Sequence, residues 1–200
     1  MKILKVIFVL ALVVVVAYLV AAFVGPKDYK VERTLGMNVS QQNVWKQVSY
    51  FKNWRTWSPW VEQDPGVKHN ISEIDGQVGT TNHWEGDPNS SGTGSMTITK
   101  MVDLQSMSYN LDFVIPFEMS SKGSISLEVK DNKTYMTWVD EADIPFVMRP
   151  MMLFFDIEKE LGDCFDRGLF KIDSLGHIMD SQEAELIKQE AETDPAELGE

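Results

Sequence analysis

The first hydrophobic pattern in the chain is a continuous apolar stretch. Residues 6–24, VIFVLALVVVVAYLVAAFV, are nineteen residues without a charged or strongly polar side chain. About 20 apolar residues in a helix span the ~30 Å hydrocarbon core of a bilayer. The pattern therefore predicts a transmembrane helix over residues 6–24, between an N-terminal tail (1–5) and a linker (25–29).

A secretory signal peptide is the alternative interpretation of this stretch. Residues 20–22 are small enough for a cleavage site, but the apolar core of a signal peptide is only ~7–15 residues long. We therefore favour an uncleaved anchor.

Basic residues flank the stretch on both sides, at Lys2 and Lys5 and at Lys27, Lys30 and Arg33, so the positive-inside rule gives no clear orientation. The short basic N-terminus favours a single-pass protein whose folded domain lies on the extracytoplasmic side.

The next elements are a strand and a short helix. Residues 31–37 alternate apolar and polar side chains, which predicts a first strand. Ser40 is a candidate N-cap, and apolar residues then recur at helical spacing. These residues are Val44, Trp45, Val48 and Phe51. Pro59 disfavours the α conformation at Ser58, so the helix is expected to end there.

Apolar and polar residues alternate through the middle of the chain, which predicts six further strands. They cover residues 67–74, 79–84, 94–101, 106–115, 118–129 and 134–142. Within residues 106–115 the apolar side chains share one face and the polar side chains share the other. One face is thus buried and the other is in water, as in an antiparallel sheet.

The pattern changes to helical spacing near the C-terminus. Pro150 suits the first turn of a helix, and apolar residues then recur every three or four positions up to Leu175. Residues 180–200 contain eight acidic residues and one lysine, so we interpret them as an acidic tail that is frayed or disordered.

The order of elements predicts an α+β fold over residues 30–179, with a curved antiparallel sheet of about seven strands wrapped around one long C-terminal helix. The helix offers a narrow apolar stripe and the sheet a wide concave face. We therefore expect a cavity between them.

Composition excludes several classes of function. The net charge of −12 argues against nucleic-acid binding, which needs a basic surface. The single Cys164 excludes an intrachain disulfide, and His69, His83 and His177 lack the spacing of metal ligands. We therefore expect no metal, no cofactor and no nucleic-acid partner.

Several segments carry a resemblance to a known family. They are Val44-Trp45, residues 51–60 (FKNWRTWSPW), 78–86 and 92–99, and Thr137-Trp138. Over residues 29–179 the chain resembles the SRPBCC superfamily, the helix-grip fold of START lipid-transfer and pollen-allergen-like proteins, and within it the polyketide cyclase/dehydrase-like branch. The resemblance implies an internal apolar pocket for lipids, sterols or polyketides, and no shared catalytic set.

The candidate site consists of residues expected to line this pocket, and no catalytic residue is assigned. The residues are Trp54, Trp57, Trp60, Trp84, Met96, Tyr109, Leu111, Phe113, Met119, Met136, Trp138, Met152, Ile157, Leu161, Phe165 and Gly168. For Trp54, Trp57 and Trp60 we favour the alternative that their rings fill the junction between helix and sheet. Side chains alternate between the two faces of a strand, and this strand parity places Asp140 on the same inward face as Met136 and Trp138. We nevertheless favour an Asp140 that lies near the strand end and is solvated, or one that pairs with Arg149.

The apolar segment between the last strand and the long helix, residues 145–155, has two interpretations. It could form a pocket mouth or a surface that dips into the bilayer, or it could be a hydrophobic joint packed on the sheet.

The hypothesis that fits best is a membrane-anchored domain that binds a hydrophobic small molecule or lipid, with the membrane contacted through the N-terminal helix. The alternatives are a cyclase or dehydratase-like enzyme, and a protein-interaction module of the chaperone-ATPase-activator type, a group that shares this general fold. The sequence does not identify a protein partner.

Overall fold

The computed structural model describes residues 2–193, and the side chains of residues 2–190. Its first element, α1 (Lys2–Val24), matches the predicted apolar helix. Within the described range it is the one helix long and apolar enough to cross a membrane, a property that signal sequences share. Ala22 is its one buried residue, so α1 is not a core helix of the domain that follows.

A seven-stranded antiparallel sheet forms the centre of that domain, as the period-two pattern predicted. The strands are β1 (Asp28–Met37), β2 (Lys68–Ile71), β3 (Thr81–Glu85), β4 (Thr93–Val102), β5 (Ser106–Ile115), β6 (Met119–Lys130) and β7 (Lys133–Asp143). Their order in the sheet is β1-β7-β6-β5-β4-β3-β2. The first strand therefore pairs with the last, and consecutive strands from β2 to β7 are neighbours.

The predicted single helix between Ser40 and Ser58 is instead two helices, α2 (Gln41–Ser49) and α3 (Phe51–Trp57), while its end at Ser58 is as predicted. A further short helix, α4 (Pro59–Gln63), begins at Pro59. Ser40 caps α2 as predicted, accepting a hydrogen bond from the amide of Asn43 at 3.3 Å. The break at Tyr50 has a distant cause. The Asp75 carboxylate accepts from the amides of Phe51 and Lys52 and so caps a new helix.

The C-terminal helix also differs from the prediction at both ends. The segment around Pro150 forms a short 3-10 turn (Phe146–Met148) and α5 (Arg149–Met152), and the long helix α6 (Ile157–Thr193) begins only after residues 153–156. Asp156 explains this start, because its carboxylate accepts from the amide of Lys159 at 3.0 Å and caps α6.

At its other end α6 continues through residues 180–193, where we expected a frayed tail. Glutamate, alanine and glutamine supply eight of these fourteen residues and are good helix formers. The rest of the predicted tail, residues 194–200, lies outside the described residues.

The core lies between the concave face of the sheet and α6. From α6, Phe165, Leu169 and Ile172 are fully buried, and from the sheet Met107, Ile125, Met136 and Trp138 meet them. The helices α2 and α3 close one side, α2 with Val44 and Val48 and α3 with Trp54 and Trp57. The fold is the predicted helix grip.

Candidate ligand cavity

A cavity of about 170 Å³ lies between the sheet, α3, α4 and the first turns of α6. Ten of the residues predicted to line a pocket do line it. They are Trp54, Trp60, Trp84, Met96, Tyr109, Leu111, Phe113, Trp138, Leu161 and Phe165. Every strand of the sheet contributes to the floor, and α3, α4 and α6 contribute the roof.

Six predicted residues lie elsewhere. Trp57 and Met136 are fully buried in the solid core, so the interpretation that rings fill the junction holds for Trp57. Gly168 packs on the ring of Trp138. Met152 and Ile157 line a separate surface groove beside the linker and the start of β1. Met119 is the first residue of β6 and pairs with Phe113.

Aromatic rings form the cavity wall, and Trp138 is at their centre. Its ring stacks on Phe165 with centroids 4.2 Å apart, and it meets Trp54 and Trp60 edge-on, each at 5.9 Å. Such pairs contribute about 0.5–1.5 kcal/mol beyond the burial of area. The wall is therefore fixed by its own contacts and does not depend on a guest.

Three of the four indole N–H groups of this wall have hydrogen-bond partners within the protein. Trp54 donates to the carbonyl of Val48 at 2.8 Å, and Trp84 donates to that of Ser91 at 3.0 Å. Trp138 donates to the hydroxyl of Tyr109 at 2.7 Å. The ring surfaces that remain toward the cavity are thus apolar.

Tyr109 reaches its place because the residue opposite it in β6 is Gly123. A Cβ at Gly123 would lie 2.1 Å from the Tyr109 ring, so only glycine lets the ring lie flat across the neighbouring strand. Burial raises the pKa of Tyr109, so its hydroxyl stays protonated.

One end of the cavity is polar and is built around Asp140. Its carboxylate accepts a hydrogen bond from the Tyr29 hydroxyl at 2.7 Å and another from the Ser121 hydroxyl at 3.0 Å. Only 6% of Asp140 is exposed, and burial raises its pKa to about 6. The favoured interpretation of Asp140 was therefore wrong. Arg149 does not pair with it and instead donates to the carbonyl of Ile144.

Tyr29 and Ser121 were not among the predicted site residues, although the alternation of side chains along β1 and β6 held a signal for both. Tyr29 lies two residues before Val31, which is buried on the same face of β1. Ser121 likewise lies four residues before Ile125, on the same buried face of β6. Only its hydrogen bond to Asp140 of the neighbouring strand was beyond the sequence pattern.

His69 and Asn82 line another part of the cavity and were also missed. Their side chains hydrogen-bond through Nδ1 of His69 at 3.2 Å, while the buried Nε2 has no partner among the described residues. Burial lowers the pKa of His69, which favours a neutral ring. No group of three or more potential metal ligands occurs in the described range.

Solved structures with similar folds include three of different kinds. The Aha1 dimer of Colwellia psychrerythraea matches with TM-score 0.53 and 14% identity, covering 74% of this chain and 96% of that one. Ara h 8.0201 matches with TM-score 0.51 and 14% identity, covering 76% and 99%. One half of the di-domain ARO/CYC protein StfQ from the steffimycin biosynthetic pathway matches with TM-score 0.60 and 10% identity, covering 78% and 52%.

Neither a protein-family model nor a curated protein sequence matches the chain. Identities of 10–14% establish a shared fold and nothing finer. The predicted resemblance to the SRPBCC helix-grip fold is confirmed at that level.

Proposed function

We propose that the chain is a membrane-anchored protein that binds a small hydrophobic molecule, or an apolar part of a lipid, between its sheet and α6. The observation that carries this proposal is the aromatic cavity of about 170 Å³ in the interior. Its lining is mainly carbon, and each 100 Å² of apolar surface that a guest removes from water contributes about 2.5 kcal/mol.

The volume limits the size of the guest. An apolar protein cavity of ~150 Å³ stays dry and binds benzene, whereas pockets for drug-sized ligands measure ~300–1,000 Å³. The cavity in this structure therefore accepts about one ring or a short alkyl segment. A sterol or a whole acyl chain requires the helices to move or leaves part of the guest outside.

The polar groups in the wall indicate which head group the guest carries. The Tyr109 hydroxyl accepts from Trp138 and keeps its own hydrogen for a guest, which suits a carbonyl or hydroxyl oxygen. Asp140 disfavours a carboxylate or phosphate at its end of the cavity once it is ionised, above pH 6. The structure thus favours an uncharged guest with a single oxygen function.

The anchor is supported by how α1 meets the domain. The Tyr18 hydroxyl donates to the carbonyl of Val147 at 2.5 Å, and Ala22 is fully buried. Apart from Ala21 and Ala22, residues 6–24 are exposed and apolar. Such a surface is unfavourable in water and favourable in a bilayer. A cleaved signal peptide would have no need of contacts with the mature domain.

The proposal is tested by what the full chain carries out of its own membrane. The protein is purified in a mild detergent and extracted with organic solvent, and the extract is analysed by mass spectrometry. Two variants fill the cavity, Leu161→Trp and Phe113→Trp. Leu175→Trp is the matched control, because Leu175 packs on the core from the same helix as Leu161 without lining the cavity.

We expect one apolar compound to be enriched with the natural chain and with the control, and lost with both filled variants. Identical extracts from all four proteins would contradict the proposal.

Proton transfer on the bound guest is a second candidate, and Asp140 favours it. A general acid or base works best with a pKa near the working pH, and burial has moved this carboxyl toward that range. In this case Asp140→Asn would retain the guest but leave it unreacted in a turnover assay. An interaction module would have a filled interior and an exposed apolar patch. The exposed patch is present at residues 146–155, but the interior holds a cavity, so we do not propose this alternative.

A further inference from the structure

The segment between β7 and α6 carries a concentration of exposed apolar side chains. Six of its ten residues from 146 to 155 are large, hydrophobic and exposed. They are Phe146, Val147, Met151, Leu153, Phe154 and Phe155, and Phe154 is 91% exposed. Exposed patches of this kind mark interaction sites.

This segment packs against the C-terminal end of α1. The helix contacts both the 3-10 turn and α5. At Gly25 the two backbones come so close that a Cβ would lie 2.7 Å from the carbonyl oxygen of Arg149. With the Tyr18–Val147 hydrogen bond, these contacts hold the segment at a defined height along α1.

That height follows from helix geometry. Tyr18 lies six residues before Val24, which is ~9 Å along the axis at 1.5 Å per residue. Helical side chains also lean toward the N-terminus, so the Tyr18 hydroxyl is no nearer the end of α1 than its own backbone. Val147 therefore lies about 9 Å from the end of the apolar stretch at Val24, measured along the axis of α1 toward its N-terminus.

We infer that residues 146–155 insert into the bilayer beside α1, in the leaflet that holds its C-terminal end. This inference rests on the proposed membrane anchor. Interfacial segments bury their apolar face ~5–10 Å into the boundary between head groups and acyl chains, which agrees with the depth of Val147. The lipid surface is the partner, because the patch is continuous with a helix whose own surface is apolar.

The charges around the segment agree with this depth. Between Asp143 and Asp156 the one charged residue is Arg149. Its guanidinium lies over the Phe146 ring at 5.6 Å, and its Nε donates to the carbonyl of Ile144. An arginine at this level extends its charge to the phosphates while its stem stays apolar. Asp143 and Asp156 mark where insertion ends.

The test measures the depth of single fluorophores in the full chain. Cys164→Ser removes the native thiol, and an environment-sensitive nitrobenzoxadiazole label is placed at one new cysteine at a time. Phe154→Cys and Val147→Cys probe the segment. Val13→Cys probes the middle of α1. The protein is reconstituted in phosphatidylcholine vesicles that contain doxyl quenchers at carbon 5 or 12, and iodide is the aqueous quencher.

Val129→Cys is the matched control in water. Val129 is an exposed apolar residue that pairs with Thr134, which lies beside Met37 at the far end of β1. At ~3.3 Å per residue, β1 separates that end from Asp28 by ~30 Å.

We expect the labels at 147 and 154 to lose emission with doxyl lipid, more at carbon 5 than at carbon 12, and to resist iodide. The label at 129 should respond only to iodide, and the label at 13 most to carbon 12. If the label at 13 is quenched by lipid while those at 147 and 154 behave like 129, the anchor stands and this inference fails.

Protection of 147 and 154 from both quenchers would mean that a protein covers the segment, which also overturns the inference. Absence of lipid quenching at 13 would overturn the anchor itself and this inference with it.

Discussion

Asp140 shows what strand parity predicts about a single side chain and what it does not. Parity correctly placed Trp84, Met136 and Trp138 on the buried face, and it placed Asp140 on that face too. It did not supply the hydroxyls of Tyr29 and Ser121, which come from β1 and β6 and make burial of the carboxyl tolerable. Without known hydrogen-bond partners for the Asp140 carboxyl, its exposure to solvent was the simpler expectation.

We predict that Asp140→Asn changes the pH dependence of stability. Burial raises the pKa of Asp140 in the folded state to about 6, above its ordinary value of 3.8. The folded state thus binds more protons between these values, and the contribution of Asp140 falls as pH rises through that window. Neutral asparagine lacks this penalty, so the variant should gain up to about 3 kcal/mol relative to the natural chain between pH 4 and pH 7.

Urea unfolding of the full chain in detergent, followed by tryptophan fluorescence at each pH, measures this difference. A constant difference between the two proteins from pH 4 to pH 7 would show that Asp140 has an ordinary pKa.

The helices illustrate a similar division between local and distant causes. Apolar spacing predicted the buried stripe of α6, and the alternation of residues 106–115 predicted β5 along its full length. The spacing could not show that Asp75 would cap α3 from a distant loop, which splits the helix at Tyr50. The cap at Asp156 is local, and its position just before an apolar series was a usable signal.

The extension of α6 is tied to α2 by two carboxylates. Asp180 accepts hydrogen bonds from the amide and hydroxyl of Ser40, at 2.9 and 2.7 Å, and from the Asn43 side chain at 2.7 Å. Glu183 pairs with Lys46 at 2.9 Å. Asp180 thus places a negative charge at the N-terminus of α2, where the helix dipole favours it. The acidic composition that suggested disorder is in part the docking surface.

We predict that Asp180→Ala destabilises the domain by about 1–2 kcal/mol at pH 7. Burial alone would raise the pKa of Asp180, but hydrogen bonds from Ser40 and Asn43 outweigh it and hold the pKa below its ordinary value. Because its folded-state pKa is lowered, Asp180 stabilises the domain fully at pH values above the ordinary pKa of an aspartate carboxyl. This stabilisation is lost as the pH falls through the folded-state pKa. The effect of the substitution should therefore shrink in acid.

Glu190→Ala is the control, since Glu190 is an exposed acidic residue of the same helix. Chemical denaturation at pH 7 and pH 3 compares the two variants. Equal effects of both substitutions would mean that Asp180 does not dock α6.

For the complete chain, the order of elements was enough to predict the helix-grip architecture, because a sheet wider than one helix has few ways to cover its apolar face. The order of elements could not predict the size of the cavity. This size depends on which aromatic rings of α3 and α4 pack into solid core. Trp57 is fully buried and lines no cavity, whereas Trp54 and Trp60 line the cavity. Trp54 and Trp57 are about one helical turn apart in α3, yet the first belongs to the cavity wall and the second to the solid core.

The tryptophans make the hollow interior directly measurable. Trp54, Trp60, Trp84 and Trp138 line the cavity, whereas Trp45 and Trp57 are buried away from it. The full chain, labelled with 5-fluorotryptophan in detergent, is titrated with benzene and followed by fluorine NMR. We predict saturable shifts of the four cavity resonances, a smaller shift of Trp57, which packs on Trp54 and Trp138, and an unchanged Trp45. Six resonances that stay still, or that all drift together without saturation, would show that the interior holds no guest.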